Sequence, residues 1–506
     1  MYFVTAQEMY DTDQYAIERI GVEGKLLMEN AGRAVANHME LFVSDQKRIA
    51  ILIGKGNNGG DGFVIARTLL QKGYDVEVIV CASPSEIKGD AAYHRDVFRN
   101  SGFPFISYEE IENLEHALKE KDVVVDAMLG IGVKGAIRPP YNQLISFVNQ
   151  FEGEVISVDL PSGVPADEGL EVDQAVQADR TIVIQFPKVS AFLEHTAAYY
   201  GRWEVVDIGL PSTVIQSKKT QKRVWKKQDV STTLPTRGAF SHKGKHGKGL
   251  VIGGAVAMPG SIAMTSRAAL RAGAGLLTVA TVQENITALA STVVEATYTT
   301  LPSEGGYISD IGSVDFSYDA IAMGMGMGRH TGAETILQVA LEQTQGILLI
   351  DADGLYALKG ILSSLKGRHN PTILTPHPGE MATLLNVSIP ELLHQPFAYS
   401  KAFAEEFQAY IVLKGAFTII TTPQGNQWVT VTGNPGMAKG GSGDVLAGIL
   451  LAMVMQSQSL ERALCNGTWI HGYTADLLVQ HQHSTYDLLA SDVIEGLAQT
   501  YRALSQ

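Results

Sequence analysis

The chain has 506 residues, 45% of them hydrophobic, enough to build the cores of two or more compact domains. Its 53 acidic against 39 basic residues give a net charge of -14, which speaks against nucleic acid or an anionic membrane as partner. Two cysteines, Cys81 and Cys465, make neither a disulfide framework nor a metal-spaced cluster. The N-terminus lacks a basic segment followed by an apolar core, and no run reaches the roughly eighteen apolar residues of a membrane span, so a soluble cytoplasmic protein is expected.

In chain order, RIAILI, DVEVIV, DVVVDAML, EVISVDL and RTIVI are short β-branched runs separated by helical stretches such as GFVIARTLLQKG. This alternation predicts a mostly parallel sheet covered on both faces by helices. Around STVIQSKKTQKRVWKKQDVSTT the apolar periodicity lapses, which places a first domain at 1–215, a linker at 216–230 and a second domain at 231–506. Beyond the linker KGLVIGG, GLLTVAT, YDAIAMG, GILLID, PTILT and AYIVLKG read as strands. SIAMTSRAALRAG, AETILQVALEQ, GDVLAGILLAMVMQ and ERALCNGTWIHGYTADLLVQ read as helices, making a second α/β domain.

Gly54, Gly56 and Gly59 of ILIGKGNNGGDG fit G-x-G-x-x-G. A redox dinucleotide site also needs an acid at the end of the second strand, where this chain has Cys81, Ala82 and Ser83. A P-loop reading fails because no Lys and Ser or Thr follow Gly59. Asn57, Asn58 and Asp61 nevertheless offer side-chain oxygens at a helix start, where free amides attract anions. Two structural readings stay open: Asp61 as a helix cap, and Asn-Asn-Gly-Gly as a left-handed turn. Later strand ends deliver Asp126, then Asp159 and Ser162. Strand ends of a parallel sheet gather on one edge, so Asn58, Asp126 and Ser162 form an oxygen-rich cluster suited to a hard cation. Asp159 can act as a general acid or base, or bond its own Pro-Ser-Gly turn.

GKGNNGGDG, DAMLGIGVKG and VDLPSG, in that order, resemble the YjeF N-terminal domain, the NAD(P)H-hydrate epimerases, over roughly residues 1–210. The resemblance implies a Rossmann-like three-layer sandwich. It implies that Asn57, Asn58, Gly59, Gly60 and Asp61 line the hydrated dinucleotide (NADHX or NADPHX), as do Gly130, Ile131, Gly132, Val133, Lys134, Gly135 and Ala136. It also implies potassium on Asn58, Asp126 and Ser162, and Asp159 as the catalytic residue at the substrate's reacting end.

In TGNPGMAKGGSGDVLAGIL, Gly440, Gly441, Ser442 and Gly443 run straight into a helix, so amides and the positive helix end converge on one point. Such a point stabilises a phosphoryl group in flight, and Asp444 can take the proton of an attacking hydroxyl; the alternative is Asp444 as N-cap. This G-x-G-D resembles ribokinase-like kinases. SHKGKHGKGLVIGGA from Ser241, GMGMG from Gly324, TPHPGE from Thr375 and LKGAFTII from Leu413 resemble, more narrowly, their ADP- or ATP-dependent NAD(P)H-hydrate dehydratases, from about residue 231 to the C-terminus. The family's YPGA is MPGS here, and its GPGLG is GMGMG. The resemblance implies that Lys414, Gly415, Ala416, Phe417 and Thr418 bind the adenine nucleotide. Asn434, Pro435, Gly436, Met437, Ala438, Lys439, Gly440, Gly441, Ser442 and Gly443 complete that set. Ser261, Gly326, His377 and the catalytic Asp444 meet the hydrated dinucleotide. Without the resemblance His377 reads as a loop residue between two prolines, and Met325 and Met327 as packing.

Together the two resemblances imply a ribokinase-like second domain behind a Rossmann-like first one, and a bifunctional repair enzyme. One domain epimerises R- and S-NAD(P)H hydrate with K⁺, and the other dehydrates the S form with ADP and Mg²⁺, releasing AMP and phosphate. Small-molecule substrates and a homo-oligomer, with no nucleic-acid or membrane partner, are expected. The alternative is a vitamin or sugar kinase fused to a dinucleotide-binding module.

Overall fold

The computed structural model describes residues 1–505 other than 112–113, 212, 215–220, 313 and 457. The chain divides into two compact units, Tyr2–Thr220 and Gln221–Gln506. Among the described residues, no helix is long and apolar enough to cross a membrane.

The first unit is built on β1 (Arg48–Ile53), β2 (Asp75–Val80), β3 (Ile106–Ser107), β4 (Val123–Ala127), β5 (Glu154–Val158), β6 (Arg180–Ile184) and β7 (Arg202–Val206). They pair in the order β3-β2-β1-β4-β5-β6-β7, all parallel. Ile49, Ile51 and Ile53 enter the core on one face of the sheet and Ala50 and Leu52 the core on the other, all at 0% exposure. Burial on both faces removes any polar alternation, which is why such strands read as continuous apolar runs. Each buried Ile or Leu contributes about 1.5–3 kcal/mol. Chain order reverses between β1 and β4, so the loops leaving their carboxyl ends diverge and open a crevice.

In the second unit β8 (Lys222–Val224), β9 (Lys248–Ile252), β10 (Leu276–Val282) and β11 (Thr297–Leu301) precede a small hairpin, β12 (Ser303–Glu304) and β13 (Tyr307–Ile308). Then come β14 (Ala320–Met323), β15 (Ile347–Ile350), β16 (Thr372–Leu374), β17 (Tyr410–Leu413), β18 (Thr418–Thr421) and β19 (Gln427–Thr430). Ten strands form one sheet, β11-β10-β9-β14-β15-β16-β17-β18-β19-β8, parallel as far as β17, after which β18 runs antiparallel to both neighbours. The helix Ser442–Val454 is buried throughout residues 445–454. A helix apolar all round must be enclosed, and this one packs on the helices Pro259–Arg271 and Leu460–His481. A Cβ on Gly448 would lie 2.1 Å from the Thr265 carbonyl oxygen. Gly448→Ala therefore forces those helices apart, and the second unit should lose about 1–3 kcal/mol, seen as a lower urea midpoint; an unchanged midpoint would contradict the close crossing.

The boundary differs from the sequence reading. Of the expected linker 216–230, residues 216–220 lie outside the described residues, whereas β8 pairs with β19 through Arg223 and Trp428. The helix Lys227–Thr233 buries Val230. The basic residues that imitate a linker are the solvent faces of an edge strand and a short helix, with Val224, Trp225 and Val230 turned inward.

Candidate functional sites

A cavity of about 840 Å³ opens in the first unit and is lined by Asn57, Asn58, Asp61, residues 130–136 and Asp159. Gly59 and Gly60 are not on its wall. A Cβ on Gly59 would stand 1.9 Å from the Gly54 carbonyl oxygen and one on Gly60 2.3 Å from Met28 Sδ, so both glycines serve packing. The helix Asn57–Gln71 begins one residue after Gly56, its N-cap, which has no side chain to offer. The asparagines are therefore helical, not left-handed, and Asp61 lies beyond the cap position, on the cavity wall. Both structural alternatives for this stretch fail.

Asp126, at 0% exposure, accepts from Ser162 Oγ (2.5 Å) and N (2.8 Å), Ser157 Oγ (2.9 Å) and the Met128 amide (3.2 Å). Burial raises its pKa and these donors oppose the rise. Asn58 Nδ2 donates to the Leu129 carbonyl (2.9 Å). Its Oδ1 is buried without a hydrogen-bond partner, a state that costs about 1–3 kcal/mol unless a ligand relieves it. Asp159 has φ 68°, a conformation that for a non-glycine residue costs about 1–3 kcal/mol and clusters at functional sites. Its Oδ1 accepts from the Ile184 amide (3.0 Å) and from Lys188 Nζ (2.5 Å), so its partners are not its own Pro-Ser-Gly turn.

Asp13 and Lys188 were not legible as site residues. Lys188 is 1% exposed within the mostly apolar QFPKVSAFL, and a lone charge in such a run was the signal available. Asp13, on the cavity wall, sits in an N-terminal helix with no glycine or strand end to mark it.

In the second unit the loop 433–443 is fastened from several sides. Asn434 Oδ1 accepts from the Gly436 amide (3.0 Å) and its Nδ2 donates to Asp476 (3.0 Å). Lys439 Nζ donates to the Tyr486 carbonyl (2.5 Å), and Ser442 Oγ to the Met437 carbonyl (2.8 Å). Gly441, at φ 94°, is the N-cap of Ser442–Val454 and leaves that helix without a side-chain cap. Asp444 is the third helical residue, so the N-cap alternative fails. Its carboxyl is pushed up to about 6 by burial and by Asp351, against a hydrogen bond from Ser261 and the charge of Lys414. Gly326 lies beside Ser261, whose Cβ would be 3.0 Å from a Cβ on the glycine.

Lys414 turns inward, unlike exposed Gly415 and Ala416. Its Nζ lies 2.8 Å from Asp351 Oδ1 and 3.8 Å from Glu380 Oε2, and 3.4 Å from where a Gly443 Cβ would stand. Burial works against its charge, but Asp351 and Glu380 prevail and raise its pKa. His377 is the N-cap of Pro378–Leu385 and not a bare loop residue: Nδ1 accepts from the Gly379 (3.0 Å) and Glu380 (3.4 Å) amides, leaving Nε2 as the donor of the neutral ring. Sequence reasoning missed Asp351 and Glu380. Asp351 follows β15 directly, the strand-end rule that found Asp126 and Asp159, and Glu380 stands three after His377, the capping-box spacing.

Burial pushes Glu380 up to about 7 from its ordinary 4.5, although Lys414 lowers it. A carboxyl that binds its proton more tightly when folded makes the folded state less stable as pH rises, here between about 4.5 and 7. Glu380→Gln keeps an acceptor for the His377 amide, so it should raise the denaturation midpoint of the second unit at pH 8 and match the parent at pH 4.

Two arrangements are now defined: a dinucleotide-type crevice without its redox acid, and an α/β unit in which a glycine loop and a half-buried aspartate meet at a helix start. A family model described as YjeF-related protein N-terminus matches residues 24–190, and one described as NAD(P)H-hydrate dehydratase matches residues 249–498. A bifunctional NAD(P)H-hydrate repair enzyme of Moorella thermoacetica is 35% identical over 100% of this chain and 98% of its own. Its Escherichia coli counterpart is 32% identical over 97% and 92%. The crystal structure of a Bacillus subtilis ADP/ATP-dependent NAD(P)H-hydrate dehydratase, co-crystallised with ATP and Mg²⁺, is 32% identical with a TM-score of 0.51, spanning 56% of this chain and 98% of that one. The chain belongs to the family of bifunctional NAD(P)H-hydrate repair enzymes.

Proposed function

We infer that the chain restores nicotinamide nucleotides hydrated on the ring, the first unit interconverting the R and S hydrates and the second dehydrating the S form with ADP. The observation that carries this reading is Asp444, uncapping and half-buried at a glycine-fed helix start, with Ser261 and Lys414 beside it. Hydroxide is a poor leaving group. Asp444 takes the proton of the ring hydroxyl as its oxygen attacks the terminal phosphorus, while Lys414 and the amides of residues 440–443 hold the developing charge. Phosphate then departs with the carbon–oxygen electron pair, a proton leaves the neighbouring carbon, and the dihydronicotinamide is restored, with AMP as the other product. His377 and Gly326 contact the hydrate in this reading, and residues 414–418 and 434–443 the nucleotide.

Mg²⁺ enters with the nucleotide. Such an ion is held by phosphates, water and one or two carboxylates; Asp351 and Asp444, which feel each other's charge beside Lys414, would be the carboxylates at hand. In the first unit the orphaned Asn58 Oδ1 supports potassium on Asn58, Asp126 and Ser162, a fixed positive charge for an oxygen of the dinucleotide. Asp159 and residues 57–61 and 130–136 hold the hydrate, Gly59 and Gly60 through packing. A vitamin or sugar kinase finds no support in relatives that match the whole chain as repair enzymes.

The test supplies purified R and S hydrates with ADP or ATP and follows reduced-nicotinamide absorbance. Failure to restore S with either nucleotide refutes the dehydratase reading; recovery of R only at its spontaneous rate refutes the epimerase reading.

A further inference from the structure

The cavity of the first unit holds a carboxyl that the family motifs leave unassigned. Asp13 lies on its wall in the helix Ala6–Tyr15. That helix is strapped to the segment carrying Lys188: the Val4 amide donates to the Pro187 carbonyl (3.0 Å), and the Val4 carbonyl accepts from the Val189 amide (3.0 Å). The strap grips both neighbours of Lys188, the residue that reaches Asp159. Asp13 and Asp159 thus face one cavity from two walls, a helix and the sheet edge.

Four carboxyls line the cavity, Asp13, Asp61, Asp90 and Asp159, of which Asp13 and Asp61 feel the charge of Asp159. Asp159 is engaged by Lys188 and the Ile184 amide. Among the described residues no hydrogen bond or ion pair engages the carboxyl of Asp13 or Asp61. Asp61 is 9% exposed, and burial drives its carboxyl well above the usual carboxylate range. Asp13 is half-buried and is pushed up to about 6 by burial, with Lys188 lowering and Asp159 raising it. A carrier of this kind can both give and recover a proton near neutrality.

We propose that Asp13 is a second catalytic residue of the first site, the acid that works with Asp159 as base in the epimerisation. This rests on the functional reading above. The inverted carbon bears a hydroxyl and is bonded to the ring nitrogen, so one of its bonds must break and re-form on the other face. Asp159 takes the hydroxyl proton, the carbonyl forms as the carbon–nitrogen bond breaks, and the electron pair passes to the nitrogen, which takes the proton of Asp13. After rotation about the adjoining carbon–carbon bond the nitrogen attacks the other face, Asp13 recovers its proton and Asp159 returns the one it took. Atoms and charge balance, and no co-reactant is needed.

The experiment uses the full chain and pure R hydrate without nucleotide, with R-to-S exchange followed by chiral chromatography. Asp13→Asn should lower the kcat of exchange about 10²–10⁴-fold while KM stays within about threefold, and Asp13→Glu should recover part of the rate. Nucleotide-dependent dehydration of S, at the other site, is the control reaction. Asp13→Ser replaces the Asn variant should that variant fail to fold. Exchange by the wild type and by the Asn variant alike, or a loss confined to KM, overturns the assignment alone. A wild type that dehydrates S but does not exchange R overturns the epimerase reading and this assignment with it.

Discussion

Asp444→Asn should lower nucleotide-dependent recovery of reduced nicotinamide from the S hydrate by about 10²–10⁴-fold, the range associated with loss of a positioned proton carrier. Asparagine keeps the size of the side chain and can still accept from Ser261, so the helix start should hold its shape. It cannot accept the hydroxyl proton. The loss should fall on kcat rather than on the KM for ADP, since the proposed function has the nucleotide meet the loop amides and not this carboxyl. R-to-S exchange in the same preparation should continue, because its residues lie in the other unit. Parent-like recovery of the S hydrate would remove Asp444 from the chemistry, whatever its position.

Lys414→Met should be the most damaging change to the stability of the second unit. It leaves Asp351, 2% exposed, and Glu380, 6% exposed, facing each other without their cation. Removing one partner of a buried ion pair costs about 3–5 kcal/mol, because the surviving charge has lost the water it would have outside and the partner it had inside. The measurable outcome is a large fall in the denaturation midpoint of the second unit at pH 8. The deficit should shrink at lower pH, where the stranded carboxyls take up protons. An equal deficit at pH 8 and pH 4 would mean that lost packing and not charge is responsible. Coupled to it, S-hydrate recovery should fall even under conditions that keep the variant folded.

Much of this architecture was written in the chain, because a parallel strand buried on both faces must be apolar throughout. RIAILI and GILLID could be read at sight for that reason. The strands that escaped lie mostly at the sheet margins: β3, β7, β11 and β8 are edge strands, β8 hidden among lysines and arginines, and β18 and β19 are four-residue strands in the part of the sheet where parallel pairing breaks down. The glycine loops were legible, but their parts were not separable. Gly59 and Asn58 are adjacent in sequence, yet one packs against Gly54 and the other presents an orphaned oxygen. Partnership was the least visible property. Nothing local joins Asp159 to Lys188 or Lys414 to Asp351, 63 positions apart; only the sheet order brings such charges together.

The helix Ser442–Val454 starts on a glycine, with no side chain to close its first turn. Free amides at a helix start seek an acceptor, and in the function proposed above that acceptor is the phosphate of the nucleotide. The second unit is then completed by its own substrate. At nucleotide concentrations about 100-fold above Kd, binding adds about 2.7 kcal/mol to its stability, so a cell rich in adenine nucleotides holds this unit in a sturdier form than an emptied one does.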